Sequence, residues 1–170
     1  GSIISNTAYL DIHIDEILAL SLIDASVIKK ARFKVVVDGV NSTGGFFIPA
    51  LLEALGVEVV KLYCNPTGEF PHNPEPLEGH LTDIKQKVIE TGAHLGIVVD
   101  PDVDRLAFIS EDGNVFGEEY TLVACADYVL SKTPGATVSN LSSTRALADL
   151  TAKYQQEYKA AAVGEVNVVS

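Results

Sequence analysis

The sequence predicts an α/β protein: a three-layer α/β/α sandwich on a small sheet, followed by a second α/β region that stops before it is complete. Three observations carry that reading. A strand, a glycine-bearing turn, a helix and a second strand follow one another early in the chain. Glycine closes two of the helical runs, at Gly56 and Gly92. After Lys132-Thr133-Pro134-Gly135 a fresh strand–helix–strand pattern begins.

From Asp11 to Lys30 apolar residues recur at helical spacing (Ile14, Ile17, Leu18, Leu22), and Lys29-Lys30 suits a helix C-terminus, so one helix is expected. Phe33 to Asp38 reads as a buried strand, because Val35-Val36-Val37 is apolar on both faces. The turn Gly39 to Gly45 leads into a helix over Phe46 to Leu55, and Val57 to Tyr63 is the next strand. That is a βαβ unit, which requires a parallel pair.

Asn65 to Gly79, with prolines 66, 71, 74 and 76, is expected to be irregular. A helix over Leu81 to Thr91 follows, then strands Leu95 to Val99 and Leu106 to Ser110 around the segment 100–105. Glu111-Asp112-Gly113-Asn114 is a tight turn, Val115-Phe116 leads on, and Glu119 to Ser131 is helical. In the second region a strand (Ala136 to Leu141), a helix (Thr144 to Tyr158) and a strand (Ala160 to Val163) are expected. A lone βαβ unit cannot bury both faces of its sheet, so a second domain cut off partway is the expectation, with 1–132 and 133–170 as the two parts.

With 47% apolar residues, a real core is expected and disorder is not. A formal charge of −11 would repel a phosphate backbone, so nucleic acid is not expected as a partner. No apolar run reaches the roughly 20 residues that span a bilayer, so no membrane partner is expected. The start shows no basic region ahead of an apolar one, and Gly1-Ser2 in place of Met reads as a remnant of expression. A cytoplasmic location is expected. Cys64 and Cys125 have no metal or disulfide spacing and are expected to be buried, reduced thiols.

The chemistry concentrates in Asp100-Pro101-Asp102-Val103-Asp104-Arg105. Acids at alternate positions of an extended segment project to one side and repel one another. A hard cation relieves that conflict, and an all-oxygen donor set favours Mg²⁺ or Ca²⁺. Arg105 places a phosphate-gripping cation beside them.

Three logics fit such a triplet. An EF-hand would use Asp100, Asp102 and Asp104 with Glu111 in twelfth place, but Arg105 stands where its turn needs Gly and the flanks read as strands. A haloacid-dehalogenase-like phosphatase would use Asp100 as nucleophile and Asp102 as general acid/base, although Asp104 replaces the expected Thr or Val. The third logic is a Mg²⁺ loop assisting phosphoryl transfer performed by another residue. Gly39 to Gly45 offers either a tight turn or a phosphate seat on helix amides. His13, His72, His80 and His94 read as loop or surface residues, His72 with a pocket role open. Glu118-Glu119 reads as compensation of a helix dipole.

Together these stretches resemble the α-D-phosphohexomutase superfamily, the phosphoglucomutase/phosphomannomutase enzymes. The matching residues are Val35-Val36-Val37-Asp38 with Asn41 and Gly45, and Leu52-Glu53-Ala54-Leu55-Gly56. Phe70-Pro71, Pro74-Glu75-Pro76 and the aspartate loop with Arg105 complete them. The family loop usually reads Asp-Gly-Asp-x-Asp-Arg, and Pro101 here replaces its glycine.

The resemblance implies a sandwich with a small mixed sheet as the second of four domains, and the start of the third. The first domain and the rest of the third and fourth are then missing partners. It implies Mg²⁺ held by Asp100, Asp102 and Asp104, with Arg105 on the same phosphate. An enzyme phosphoserine on the first domain would exchange phosphoryl groups with a hexose phosphate substrate. The stretch Val163-Gly164-Glu165-Val166-Asn167 resembles the start of a sugar-selecting loop, so Gly164 and Glu165 are implied as substrate contacts. A Thr-x-Ser-His-Asn-Pro-like motif is not in this chain.

Overall fold

The computed structural model describes residues 1–2 and 8–169. Two compact units divide it, Gly1–Val115 and Phe116–Ser170, and each is described by itself.

In the first unit, helices α1 (Tyr9–Leu18) and α2 (Ala25–Ala31) precede strand β1 (Lys34–Asp38). The single helix expected over 11–30 is therefore two. Asp24 is the reason: its carboxylate accepts the backbone N–H groups of Ser26 (3.0 Å) and Val27 (3.1 Å), starting a new helix instead of continuing the old one. Arg32, at φ 53°, ends α2 in the left-handed conformation.

Helix α3 (Gly44–Ala54) and strand β2 (Glu58–Leu62) complete the βαβ unit, with β1 and β2 parallel. A short 3₁₀ turn at Glu78–His80 follows the proline-rich loop. Then come α4 (Thr82–Thr91), β3 (Leu95–Val99), β4 (Leu106–Ser110) and the short β5 (Val115–Phe116). The sheet order is β2-β1-β3-β4-β5; β3 runs parallel to β1 and β4 antiparallel to β3. The small mixed sheet is as the sequence predicts.

Side-chain alternation along β1 builds the layers. Val35 and Val37 face one side, where Ile48 and Leu52 of α3, and Leu55 just after it, cover them. Val36 faces the other, with Ile84 and Val88 of α4, Leu81, Val98 and Ile109. β1 is apolar throughout because helices cover both of its faces. From β1 the chain moves outward to β2 and then returns to the other side as β3. The carboxyl ends of β1 and β3 therefore flank a topological switch point, where open α/β sheets place their sites. Asp38 ends β1, and Asp100 follows β3 there.

The second unit holds α5 (Glu118–Lys132), a parallel pair β6 (Thr137–Asn140) and β7 (Tyr158–Ala161), and helices α6 (Ala146–Lys153) and α7 (Glu165–Val169). α6 is half the length expected from the sequence. Gln155 turns left-handed at φ 57°, and Tyr158 joins the ladder opposite Thr137, its hydroxyl 2.8 Å from that of Ser139. α7 was not expected. Glu119 does more than balance a helix dipole, since its carboxylate accepts the Thr144 N–H at 2.9 Å. Cys125 is exposed and Cys64 half-buried, so the expectation of two buried thiols fails for Cys125, which sits on an open helix face. Among the described residues, no helix is long and apolar enough to cross a membrane.

The core of the first unit yields a direct check. Ile84 is fully buried between α4 and the sheet, so Ile84→Ala leaves a cavity and costs about 2–5 kcal/mol. Urea unfolding should show it as a lowered midpoint with unchanged slope.

Candidate metal centre

The aspartates come together through a turn, which replaces the extended segment expected from the sequence. The Val103 N–H donates to the Asp100 carbonyl at 3.2 Å. The Arg105 N–H donates to the Asp100 carboxylate at 3.1 Å, and the Asp100 N–H returns to the Arg105 carbonyl at 3.4 Å. Val103 is left-handed at φ 63°, a strained conformation for a β-branched residue that costs of order 1–3 kcal/mol. The result is that carboxylate oxygens of Asp100, Asp102 and Asp104 all lie within 4.8 Å of one another. Asp100 is buried, whereas Asp102 and Asp104 are exposed.

The turn after β1 fixes this loop from the side. Ser42 and Thr43 both donate their hydroxyls to the Pro101 carbonyl, at 2.9 and 2.7 Å. Close approach is possible because residues 44 and 45 lack side chains. A Cβ on Gly44 would strike the Val99 side chain, and one on Gly45 would lie 2.7 Å from the Cys64 backbone. The glycine turn is thus a tight-packing device whose hydroxyls hold the aspartate loop. Sequence reasoning weighed this turn only for phosphate or geometry and missed the clamp. The adjacent Ser42-Thr43 hydroxyls were the available signal.

Electrostatics reflect the crowding. Burial works against ionisation of Asp100, but the Arg105 N–H, hydrogen bonds shared with Asp104 and Asp102, and the Arg105 charge outweigh it and hold its carboxyl below the usual range. Asp104 is pushed up, first by sharing a hydrogen bond with Asp100 and then by the charge of Asp102. A site that raises one of its own carboxyls in this way suits a hard divalent cation, and its donors are all oxygen. The residues present fit Mg²⁺.

Arg105 points its Nη1 at the Glu75 carboxylate, and its Nε lies 4.0 Å from Asp104. Beneath the loop, Asp38 is almost fully buried, accepting the Val40 N–H at 2.9 Å and pairing with His72 Nε2 at 2.9 Å. Burial pushes the Asp38 carboxyl up, against the Val40 and His72 contacts. His72 is therefore no surface residue: a buried acid partners it, and the Tyr63 ring lies edge-on at 5.8 Å. Gly164 and Glu165 lie in the second unit, Gly164 at φ 124° ahead of α7.

An apolar hollow of about 530 Å³ abuts the aspartate loop through Thr43 and Val103. Its walls include Tyr9, Leu10, Phe46 and Phe47. Among the described residues that line it there is a histidine, His13, but no lysine or arginine.

Residues 11–113 match the model of the phosphoglucomutase/phosphomannomutase α/β/α domain II. The chain belongs to the phosphoglucomutase/phosphomannomutase family. A probable phosphoglucosamine mutase of Methanopyrus kandleri is 30% identical over all of this chain and 37% of its own length. A phosphomannomutase/phosphoglucomutase of Pseudomonas putida is 40% identical over 70% of this chain and 26% of its own length. A family crystal structure from Burkholderia thailandensis superposes with a TM-score of 0.77 at 29% identity, covering 94% of this chain and 34% of its own. The chain thus spans about a quarter to two-fifths of these relatives.

Family membership takes the place of the haloacid-dehalogenase-like reading. The EF-hand reading falls because strands β3 and β4, not helices, flank the acids.

Tyr63 gives this region a pH signature. Its hydroxyl donates to the Asp83 carboxylate at 2.6 Å, and that bond, followed by burial, pushes its phenol up to about 12. The folded state therefore binds this proton more tightly than the unfolded state. Its stabilisation is complete below about pH 10 and is lost as pH rises from there towards 12. A tyrosinate absorbance titration should show late-ionising phenol absorbance, to which Tyr154 also contributes through its bond to Asp127, and Tyr63→Phe should lower it by one tyrosine.

Proposed function

We propose that this chain is the metal-binding second domain (1–132), and the beginning of the sugar-binding third domain (133–170), of a phosphohexomutase. Such an enzyme moves a phosphoryl group between the C1 and C6 oxygens of a hexose phosphate through a phosphoserine on another domain. The observation that carries this reading is the trio of aspartate oxygens within 4.8 Å, beside Arg105, in a stretch that matches the family's domain II.

In this reading Asp100, Asp102 and Asp104 hold Mg²⁺, which when bound supplies positive charge to a phosphate in transfer. Asp100 anchors the loop to the sheet, and exposed Asp102 and Asp104 face the incoming group. Arg105 contacts the same phosphate, supplying hydrogen bonds whose direction is fixed by a planar guanidinium. Gly164 and Glu165 begin the loop that meets the sugar. The phosphoserine, the rest of the third domain and the fourth are partners that this reading requires. A cytoplasmic setting suits a sugar-phosphate substrate.

Two outcomes test this reading together. Replacing any one of the three aspartates by Ala should weaken Mg²⁺ binding, followed by NMR titration, by about tenfold or more. The chain by itself should not interconvert hexose 1- and 6-phosphates. Robust turnover by the isolated chain, or Mg²⁺ affinity indifferent to all three aspartates, would refute the proposal.

A further inference from the structure

The loop between β2 and α4 is irregular yet fastened at several points. Its prolines 66, 71, 74 and 76 restrict the backbone. Asn41 donates to the Glu69 carbonyl at 3.0 Å, and the Gly68 N–H returns to the Asn41 carbonyl at 2.9 Å. His72 reaches inward to buried Asp38, and its Nδ1 lies 2.8 Å from the Asn73 carbonyl. A carbonyl only accepts, so Nδ1 carries a proton there. Around Glu75, Asn73 accepts the Glu75 N–H at 3.1 Å, while His80 Nδ1 donates to the Glu75 carbonyl at 3.0 Å. Glu75 is thus a carboxylate on a fixed backbone, and its partner is Nη1 of Arg105.

Arg105 needs such a partner. It sits on an exposed turn, and a free arginine side chain loses up to about 2 kcal/mol of rotamer entropy when it is ordered. Glu75 occupies Nη1; Asp104, 4.0 Å from Nε, stands beyond hydrogen-bond reach of it, so Nε and Nη2 remain for another acceptor.

We propose that Glu75 is a positioning residue, which orders the Arg105 guanidinium so that its remaining donors meet a phosphomonoester. This rests on the reading that Arg105 contacts phosphate, and it adds the residue that aims it. The charge of Glu75 itself repels an incoming dianion, so its two effects oppose each other. Glu75→Gln and Glu75→Ala separate them. The variants carry the same charge, but only glutamine keeps an acceptor for Nη1.

The test uses the full 170-residue chain with saturating Mg²⁺. O-phosphoserine is titrated while the Arg105 Nε–Hε NMR signal, identified by its loss in Arg105→Lys, is followed. Glu75→Ala should bind about tenfold more weakly than Glu75→Gln, with equal melting temperatures. Equal affinities, or tighter binding by the alanine variant, would overturn the inference and leave Arg105 as the phosphate contact. An Arg105 signal unmoved by O-phosphoserine in the unsubstituted chain would overturn the phosphate reading, and this inference with it.

Discussion

Three carboxylates held within 4.8 Å of one another are an unfavourable arrangement, and the first unit is organised around sustaining it. Left to themselves, like charges at that spacing separate or take up a proton. Here the backbone does not let them separate. Asp100 is bonded in both directions to Arg105, Val103 is forced left-handed, and the Pro101 carbonyl is held by two hydroxyls. Crowding that cannot relax spatially appears in the titration behaviour, with Asp100 below and Asp104 above the ordinary range.

The rigidity comes from below. β1 and β3 lie side by side in the middle of the sheet, their faces covered by α3 and α4, so their carboxyl ends are fixed points. The glycines at 44 and 45 let the start of α3 close onto Val99 and Cys64, which carries Ser42 and Thr43 to the aspartate loop. On the other side, the proline-rich loop is tied to the end of β1 through His72 and Asp38. It then reaches the arginine through Glu75. The turn after β1, the loop after β2 and the loop after β3 therefore converge on one edge of the sheet.

Much of this was legible in the sequence, for identifiable reasons. Apolar runs at 35–37 and 97–99 mark central strands, and the Asp-x-Asp-x-Asp-Arg spacing marks the candidate site. What sequence reasoning missed depends on pairing across long separations. Ser42 and Thr43 meet Pro101 some sixty positions away, and nothing local distinguishes them from ordinary turn residues. His72 gave no sign that its partner was an acid at the end of a strand. Periodicity overran at Asp24, where an N-cap starts a second helix, and at Gln155, where strand pairing ends a helix whose spacing continues. For the three acids the spacing predicts an extended chain, whereas a turn brings them together.

The most direct test of this account leaves all three carboxylates intact and removes only what holds them. In a Ser42→Ala/Thr43→Val double variant the Pro101 carbonyl loses both hydroxyl donors. Mg²⁺ affinity measured by NMR titration should then fall by about ten- to a hundredfold, the range seen when partners outside the ligand set are lost. Affinity equal to that of the unsubstituted chain would contradict the claim that the turn after β1 holds the aspartates in register.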